Sequence, residues 1–258
     1  MIALSGCVEA LFRDLPFVER IHAVRNIGLT AFEFWGHANK DIDAVVAAQR
    51  KTGLAVSSIS CDTGGPLVNP ANREKFAPAA EKSVAVAKRL NCRTLIVTVG
   101  QEVPGVSRAE QHRSIVQGLK TVAPTVEKAG VTLVVEPLNV LVNHKGYFLA
   151  TTQEGIEIVD EVGSPNVKLL YDIYHQQITE GNLIATITAN IAKIGHFHMA
   201  DVPGRHEPGT GEINYENVFR AIAGTDYDGY IGLELWPTKP EKEALAATIA
   251  WGKQYFGG

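Results

Sequence analysis

The chain has 258 residues, 45% of them hydrophobic and 20% charged, with a formal net charge of −4 and no run of Lys and Arg. That balance suits a soluble globular protein and argues against nucleic acid as a partner. No apolar run approaches the roughly 18 residues of a membrane span, and the first residues, Met1-Ile-Ala-Leu-Ser-Gly6, lack the charged and long apolar regions of a secretory leader, so the expected location is the cytoplasm, with no membrane partner.

Short β-rich runs alternate with longer amphipathic ones from end to end. In the first half, strands are expected at residues 2–5, 31–34, 56–59 and 94–99, and helices at 16–26, 41–52, 71–90 and 108–129. In the second half, strands are expected at 131–136, 167–172, 194–199 and 230–235, and helices at 152–162, 183–192, 215–223 and 239–255. Gly28, Gly53, Gly130 and Gly163 fall just past helix ends, where a left-handed cap favours glycine, and Thr151 or Thr152 can cap the fifth helix.

Eight strands with a helix after each close as a barrel, whereas a doubly wound sheet usually has fewer strands and leaves edges. The expected fold is therefore α/β, a (β/α)8 TIM barrel forming a single domain over residues 1–258. No linker or composition break divides it. Cys7, Cys61 and Cys92 are odd in number, widely spaced and free of any C-x-x-C pair, which suits reduced thiols better than a disulfide framework or a zinc site.

Four apolar strands each end on a polar residue: Glu136, Asp172, His198 and Glu234. A carboxylate beside a buried strand is expensive unless a cation or hydrogen bonds compensate it. Four such residues at equivalent ends of consecutive strands, at the mouth where this fold builds its sites, point to one shared divalent metal ion. Three oxygens and one nitrogen suit Mn²⁺, Mg²⁺ or Co²⁺. His196 and His198 share a strand face. His198, nearer the mouth, is expected to reach the ion, and His196 to be satisfied inside the barrel. Glu33 is expected to hydrogen-bond the barrel framework. His175, three residues after Asp172, stands where it can donate to a substrate oxygen. No phosphate-binding loop, dinucleotide motif or nucleophile elbow occurs.

The segments Val134-Val-Glu-Pro-Leu-Asn139, Leu170-Tyr-Asp-Ile-Tyr-His175, Ile194-Gly-His-Phe-His198 and Glu207-Pro-Gly-Thr-Gly-Glu-Ile-Asn-Tyr215 resemble the hydroxypyruvate isomerase family, within the xylose-isomerase-like TIM barrels. The resemblance is densest over residues 131–235. It implies that Glu136, Asp172, His198 and Glu234 hold the metal and that Glu136 and Glu234 also move the proton. The implied reaction interconverts hydroxypyruvate and tartronate semialdehyde through an enediolate. Such a substrate carries a carboxylate, for which Arg205 and His206 are the expected partners, ahead of His144 and Lys145, which read as solvated loop charge. Some members of the family carry glutamine at the position of His198, whereas ketose 3-epimerases of the same superfamily carry histidine. A ketose 3-epimerase and a 2-oxo-tetronate isomerase therefore stay open as alternatives. A nuclease of the endonuclease-IV-like class would want several zinc ions and a basic face, and a non-catalytic sugar-binding barrel would leave both glutamates unexplained. The expected partner is a small hydroxy-oxo acid or ketose, and a homo-oligomer is compatible with the sequence.

Overall fold

Short runs rich in β-branched and apolar residues form the strands of the computed structural model, which describes residues 2–257. Among the described residues there are eight: β1 (Ala3–Cys7), β2 (Ala31–Phe34), β3 (Ala55–Ser60), β4 (Thr94–Val97), β5 (Thr132–Val135), β6 (Val167–Asp172), β7 (Ile194–Met199) and β8 (Tyr230–Leu233). Each pairs in parallel with the next. β8 returns to β1 from Ala3↔Tyr230 to Gly6↔Leu233, so the sheet closes without an edge. The expected (β/α)8 TIM barrel is the fold observed, as one domain.

The helices lie outside: α1 (Phe17–Asn26), α2 (Ile42–Thr52), α3 (Arg73–Arg89), α4 (Arg108–Ala129), α5 (Thr152–Val162), α6 (Ile173–Thr179), α7 (Leu183–Asn190), α8 (Tyr215–Ala223), α9 (Glu241–Ala244) and α10 (Ala246–Phe256). Gly53, Gly130 and Gly163 are left-handed caps as expected, and Thr151 caps α5 by accepting from the Glu154 amide. After α1, Ile27 closes the helix in right-handed conformation and Gly28 just past it is left-handed, with φ at 94°.

Two helical features depart from the sequence reading. The segment 239–255 is broken at Leu245 into α9 and α10. The short α6, absent from the sequence reading, starts directly from the end of β6, with Asp172 as its cap accepting from the His175 amide at 3.2 Å. A helix of 7 residues carries too weak a periodicity to stand out, and its buried residues, Ile173 to Gln176, mix apolar and polar types.

Strand side chains alternate between the barrel interior and the helical layer. Outward residues such as Leu133, Val135, Leu169 and Phe197 join the large core beneath the helices. Inside the barrel, Ile96, Val134 and Leu170 form a small separate apolar cluster on β4 to β6. Beside them the interior turns polar, with Ser5, Glu33, Ser57 and His196 all buried. Cys7, Cys61 and Cys92 are buried and unpaired. No helix among the described residues is long and apolar enough to cross a membrane.

Candidate active site

The register of β5 to β8 carries Glu136, Asp172, His198 and Glu234 to one point at the C-terminal mouth. Each offers one ligand atom, all within 4.8 Å of one another and all buried. Nδ1 of His198 lies 3.2 Å from Glu234 Oε2 and 3.6 Å from Glu136 Oε1. Both ring nitrogens of His198 are buried without a hydrogen-bond partner, which leaves donor capacity turned into the cluster.

The electrostatics ask for positive charge. Burial works against a charged imidazole, yet Glu234 and Glu33 outweigh it and raise His198 well above the usual histidine range. Burial pushes the Glu136 carboxyl up, against the pull of the adjacent His198. Burial also opposes ionisation of Glu234, but the charges of His198 and Arg205 pull its carboxyl far below the usual range. Against three carboxylates, Arg205 is, among the described residues, the one permanent cation lining the adjoining cavity of about 260 Å³. Negative charge is left in excess, and a divalent ion beside a neutral His198 would offset it. The donor set thus fits the metal expected from the sequence.

Arg205 reaches the cluster from the loop after β7. Its Nη2 donates to Asp172 Oδ2 at 2.8 Å and to the Glu234 carboxylate, and its Nε donates to the Glu234 carbonyl at 3.1 Å. The arginine backbone is left-handed, with φ at 59°, a conformation that costs energy for a residue with a side chain and persists only where neighbours impose it. Here Asp201 imposes it. Its carboxylate, fully buried, accepts from the amides of Val202, Gly209, Gly211 and Ile213, while its carbonyl accepts from the Arg205 amide. Gly211 has no alternative, because a Cβ there would lie 2.0 Å from the Val202 carbonyl oxygen. Glu207 ties the same loop to Thr238 through amide and hydroxyl donors at 2.9 and 2.6 Å, and the Tyr215 hydroxyl donates to the Ala200 carbonyl at 2.6 Å. The segment Glu207 to Tyr215 is therefore a knot that presents Arg205.

His175 lies beneath the arginine. Its Nδ1 lies 2.6 Å from the Asn139 side-chain amide nitrogen, and Asn139 Oδ1 is engaged by the amides of Val142 and Asn143. Its Nε2 faces Asp172 Oδ2 at 3.5 Å and Arg205 Nη1, a donor only, at 2.6 Å. Burial holds His175 down to about 4, so it is neutral at pH 7.

Residues 21–255 match the model of the xylose isomerase-like TIM barrel family. The chain belongs to that family. Hydroxypyruvate isomerase of Escherichia coli (strain K12) is 32% identical, over 95% of this chain and 97% of its own length. The 2-oxo-tetronate isomerase of Cupriavidus necator is 30% identical over 100% of both chains. Among solved structures, one described as an AP endonuclease, family 2, from Brucella melitensis superposes with a TM-score of 0.92 at 27% identity, covering 97% of this chain and 99% of that one. A D-psicose 3-epimerase superposes at 0.81 with 20% identity, over 99% and 100%, and so shares the fold. With these relatives, this member of the xylose isomerase-like family is an isomerase.

Within this family barrel, the structure brings Glu136, Asp172, His175, His198, Arg205 and Glu234 together. His206 is not part of that group: its Nδ1 donates to the Trp236 carbonyl at 2.7 Å, and it does not line the cavity. Lys145 is exposed, as expected of loop charge. His144 departs from that expectation. Its amide bonds to the Asn139 carbonyl, its ring packs against His175 with centroids 5.1 Å apart, and it forms part of the cavity wall. Trp35 was not singled out from the sequence, yet its Nε1 donates to Glu234 Oε1 at 2.7 Å. It follows the end of β2, so the strand-end criterion that found the carboxylates applies to it too. Asp201 and Asn139 gave no such signal, since each acts through loop backbone.

Proposed function

We propose that the protein is a divalent-metal-dependent isomerase of a short hydroxy-oxo acid, interconverting hydroxypyruvate and tartronate semialdehyde. The observation that carries this reading is the pairing of a three-carboxylate, one-histidine cluster with a single buried arginine on its rim. When bound, the ion, Mn²⁺, Mg²⁺ or Co²⁺, would supply positive charge to adjacent carbonyl and hydroxyl oxygens and so acidify the C–H between them.

Glu136, Asp172, His198 and Glu234 would hold the ion. Glu136 and Glu234 stand just past the ends of β5 and β8, and they are the carboxylates assigned to proton transfer, Glu234 being held by Trp35 and Arg205. One removes the proton from the hydroxymethyl carbon, and the resulting enediolate is protonated at the neighbouring carbon by the other or by the first after a proton shift. At the rim, Arg205 Nη1 and His175 Nε2 lie 2.6 Å apart. A substrate carboxylate or carbonyl that reaches this rim meets the guanidinium as its charged donor. Trp35 and Trp236 line the same cavity, with the Arg205 guanidinium 5.4 Å from the Trp236 ring centroid.

The 2-oxo-tetronate isomerase relatives support a close second reading, in which the acid is one carbon longer. A ketose would use the same cluster without engaging the arginine as a charge partner. A nuclease reading conflicts with a cavity lined by one permanent cation.

The test is a substrate panel with chelated protein before and after return of each metal. Initial rates are compared on hydroxypyruvate, a 2-oxo-tetronate, tagatose and fructose. The expected result is negligible turnover after chelation and, on metal return, a kcat/KM highest for hydroxypyruvate. A ketose with the highest value would overturn the substrate, and full activity without metal would overturn the mechanism.

A further inference from the structure

One buried carboxylate on the barrel axis has no place in the chemistry above. Glu33 on β2 is 2% exposed, in a position where this fold ordinarily carries apolar side chains. Its two oxygens have different surroundings. Oε2 accepts from the Ser57 hydroxyl at 2.9 Å, the Ser58 hydroxyl at 3.2 Å and His196 Nε2 at 2.9 Å, and Ser5 extends this chain by meeting Ser57 at 2.6 Å. Oε1 has no hydrogen-bond partner, although it is buried.

The nearest donor to Oε1 is Nε2 of His198, 3.0 Å away and itself buried without a partner. The two orphaned atoms thus lie within hydrogen-bonding distance of each other. The opposite ring nitrogen, Nδ1, is the one beside Glu136 and Glu234. β8 makes room for this arrangement: a Cβ on Gly232 would stand 2.1 Å from Oε1, so any larger residue would drive the carboxylate away. Glu33, His196 and His198 also lie close together, but His196 Nε2 and both serine hydroxyls already engage Oε2.

We propose that Glu33 is a positioning residue: by accepting the Nε2–H of His198 it holds the imidazole with its Nδ1 lone pair toward Glu136, Asp172 and Glu234. The inference rests on the reading that these four residues bind a divalent ion. A neutral imidazole has one N–H and one lone pair, so fixing the proton on one nitrogen dedicates the other to the metal. A carboxylate behind a ligating histidine both fixes the ring and raises its basicity. The serines and His196 hold the carboxylate itself, which would otherwise rotate freely beneath the ring.

The test uses the full-length protein and a readout independent of turnover. Mn²⁺ binding is measured by calorimetry on wild type, Glu33→Gln and, as a packing control, Val134→Ala. The ligating nitrogen is read from ¹¹³Cd–¹⁵N coupling in wild-type protein labelled with ¹⁵N-histidine and loaded with ¹¹³Cd²⁺. The expected results are coupling to His198 Nδ1 with a proton on Nε2, and a Kd for Mn²⁺ raised about 10- to 100-fold by Glu33→Gln but unchanged by Val134→Ala. Cadmium coupled to Nε2 would overturn the proposal, and this measurement needs no variant to fold. So would a folded Glu33→Gln protein with a lowered Tm and the wild-type Kd, the result of a merely structural role. Wild-type protein that binds neither Mn²⁺ nor Cd²⁺ would overturn the four-ligand reading, and the Glu33 proposal with it.

Discussion

Two sides of the barrel interior solve the same filling problem differently. On β4 to β6, Ile96, Val134 and Leu170 pack against one another and need no partners beyond contact. Next to them, where Leu170 pairs with His196 across β6 and β7, the filling becomes Glu33, His196, Ser57 and Ser5. The apolar side only has to exclude water. On the polar side a carboxylate is buried, which is tolerable because Oε2 has three donors and two histidines lie alongside. Burial alone would push Glu33 up, but the charges of His198 and His196 and the hydrogen bond from His196 bring it down to about 2. The difference teaches that apolar filling is sufficient for the barrel, and that the polar side exists for the residue above it, His198.

Substitutions can break this contrast at its active end first. Glu136→Gln and Glu234→Gln keep size and one ligating oxygen but remove the carboxylate that moves the proton. Each is expected to lower kcat by about 10²- to 10⁴-fold while Mn²⁺ still binds by calorimetry. Near-normal kcat in both variants would remove the glutamate pair from the chemistry.

On the apolar side the expected loss is of stability alone. Leu170 is fully buried, so Leu170→Ala should cost about 2–5 kcal/mol in denaturant unfolding through lost burial and a residual cavity. The affinity for Mn²⁺ should stay at the wild-type value in the folded protein. A large change in that affinity would show that the two sides are mechanically coupled and weaken the contrast.

Arg205→Ala is the next effect in size and sharpens the substrate assignment. Losing a charged hydrogen-bonding partner for a carboxylate is worth about 1.5–3 kcal/mol, so KM for hydroxypyruvate should rise roughly 10- to 100-fold with little change for an uncharged ketose. Equal effects on both would place the arginine in the scaffold of the cluster and not in recognition of the acid.

The smallest effect concerns the knot that carries Arg205. Burial opposes ionisation of Glu207, but hydrogen bonds from Thr238 outweigh it and hold its carboxyl below its ordinary value of 4.5. A folded-state value below the unfolded one contributes stability above the unfolded pKa, and that contribution is lost as pH falls through the folded value. Wild type should therefore lose stability below about pH 4.5 more steeply than Glu207→Gln, measured by urea unfolding across that window. Parallel curves would show that Thr238 binds the two side chains equally well.

Strand number and the four candidate ligands were legible in one dimension because both depend on local pattern. An apolar run stopped by Glu136, Asp172, His198 or Glu234 is visible without knowing its neighbours, and closure of a parallel barrel brings equivalent strand ends together. Gly53, Gly130 and Gly163 were readable for the same reason, since a left-handed cap is a property of one residue. What the sequence could not decide were interactions across strands and within loops. Whether Arg205 or His206 turns inward depends on Asp201 gathering four loop amides, and the side chain of Arg205 enters the site while that of His206 bonds to Trp236. That Glu33 lies under His198 depends on Gly232 of β8 leaving space opposite β2, a relation between residues 199 positions apart that only the closed barrel creates.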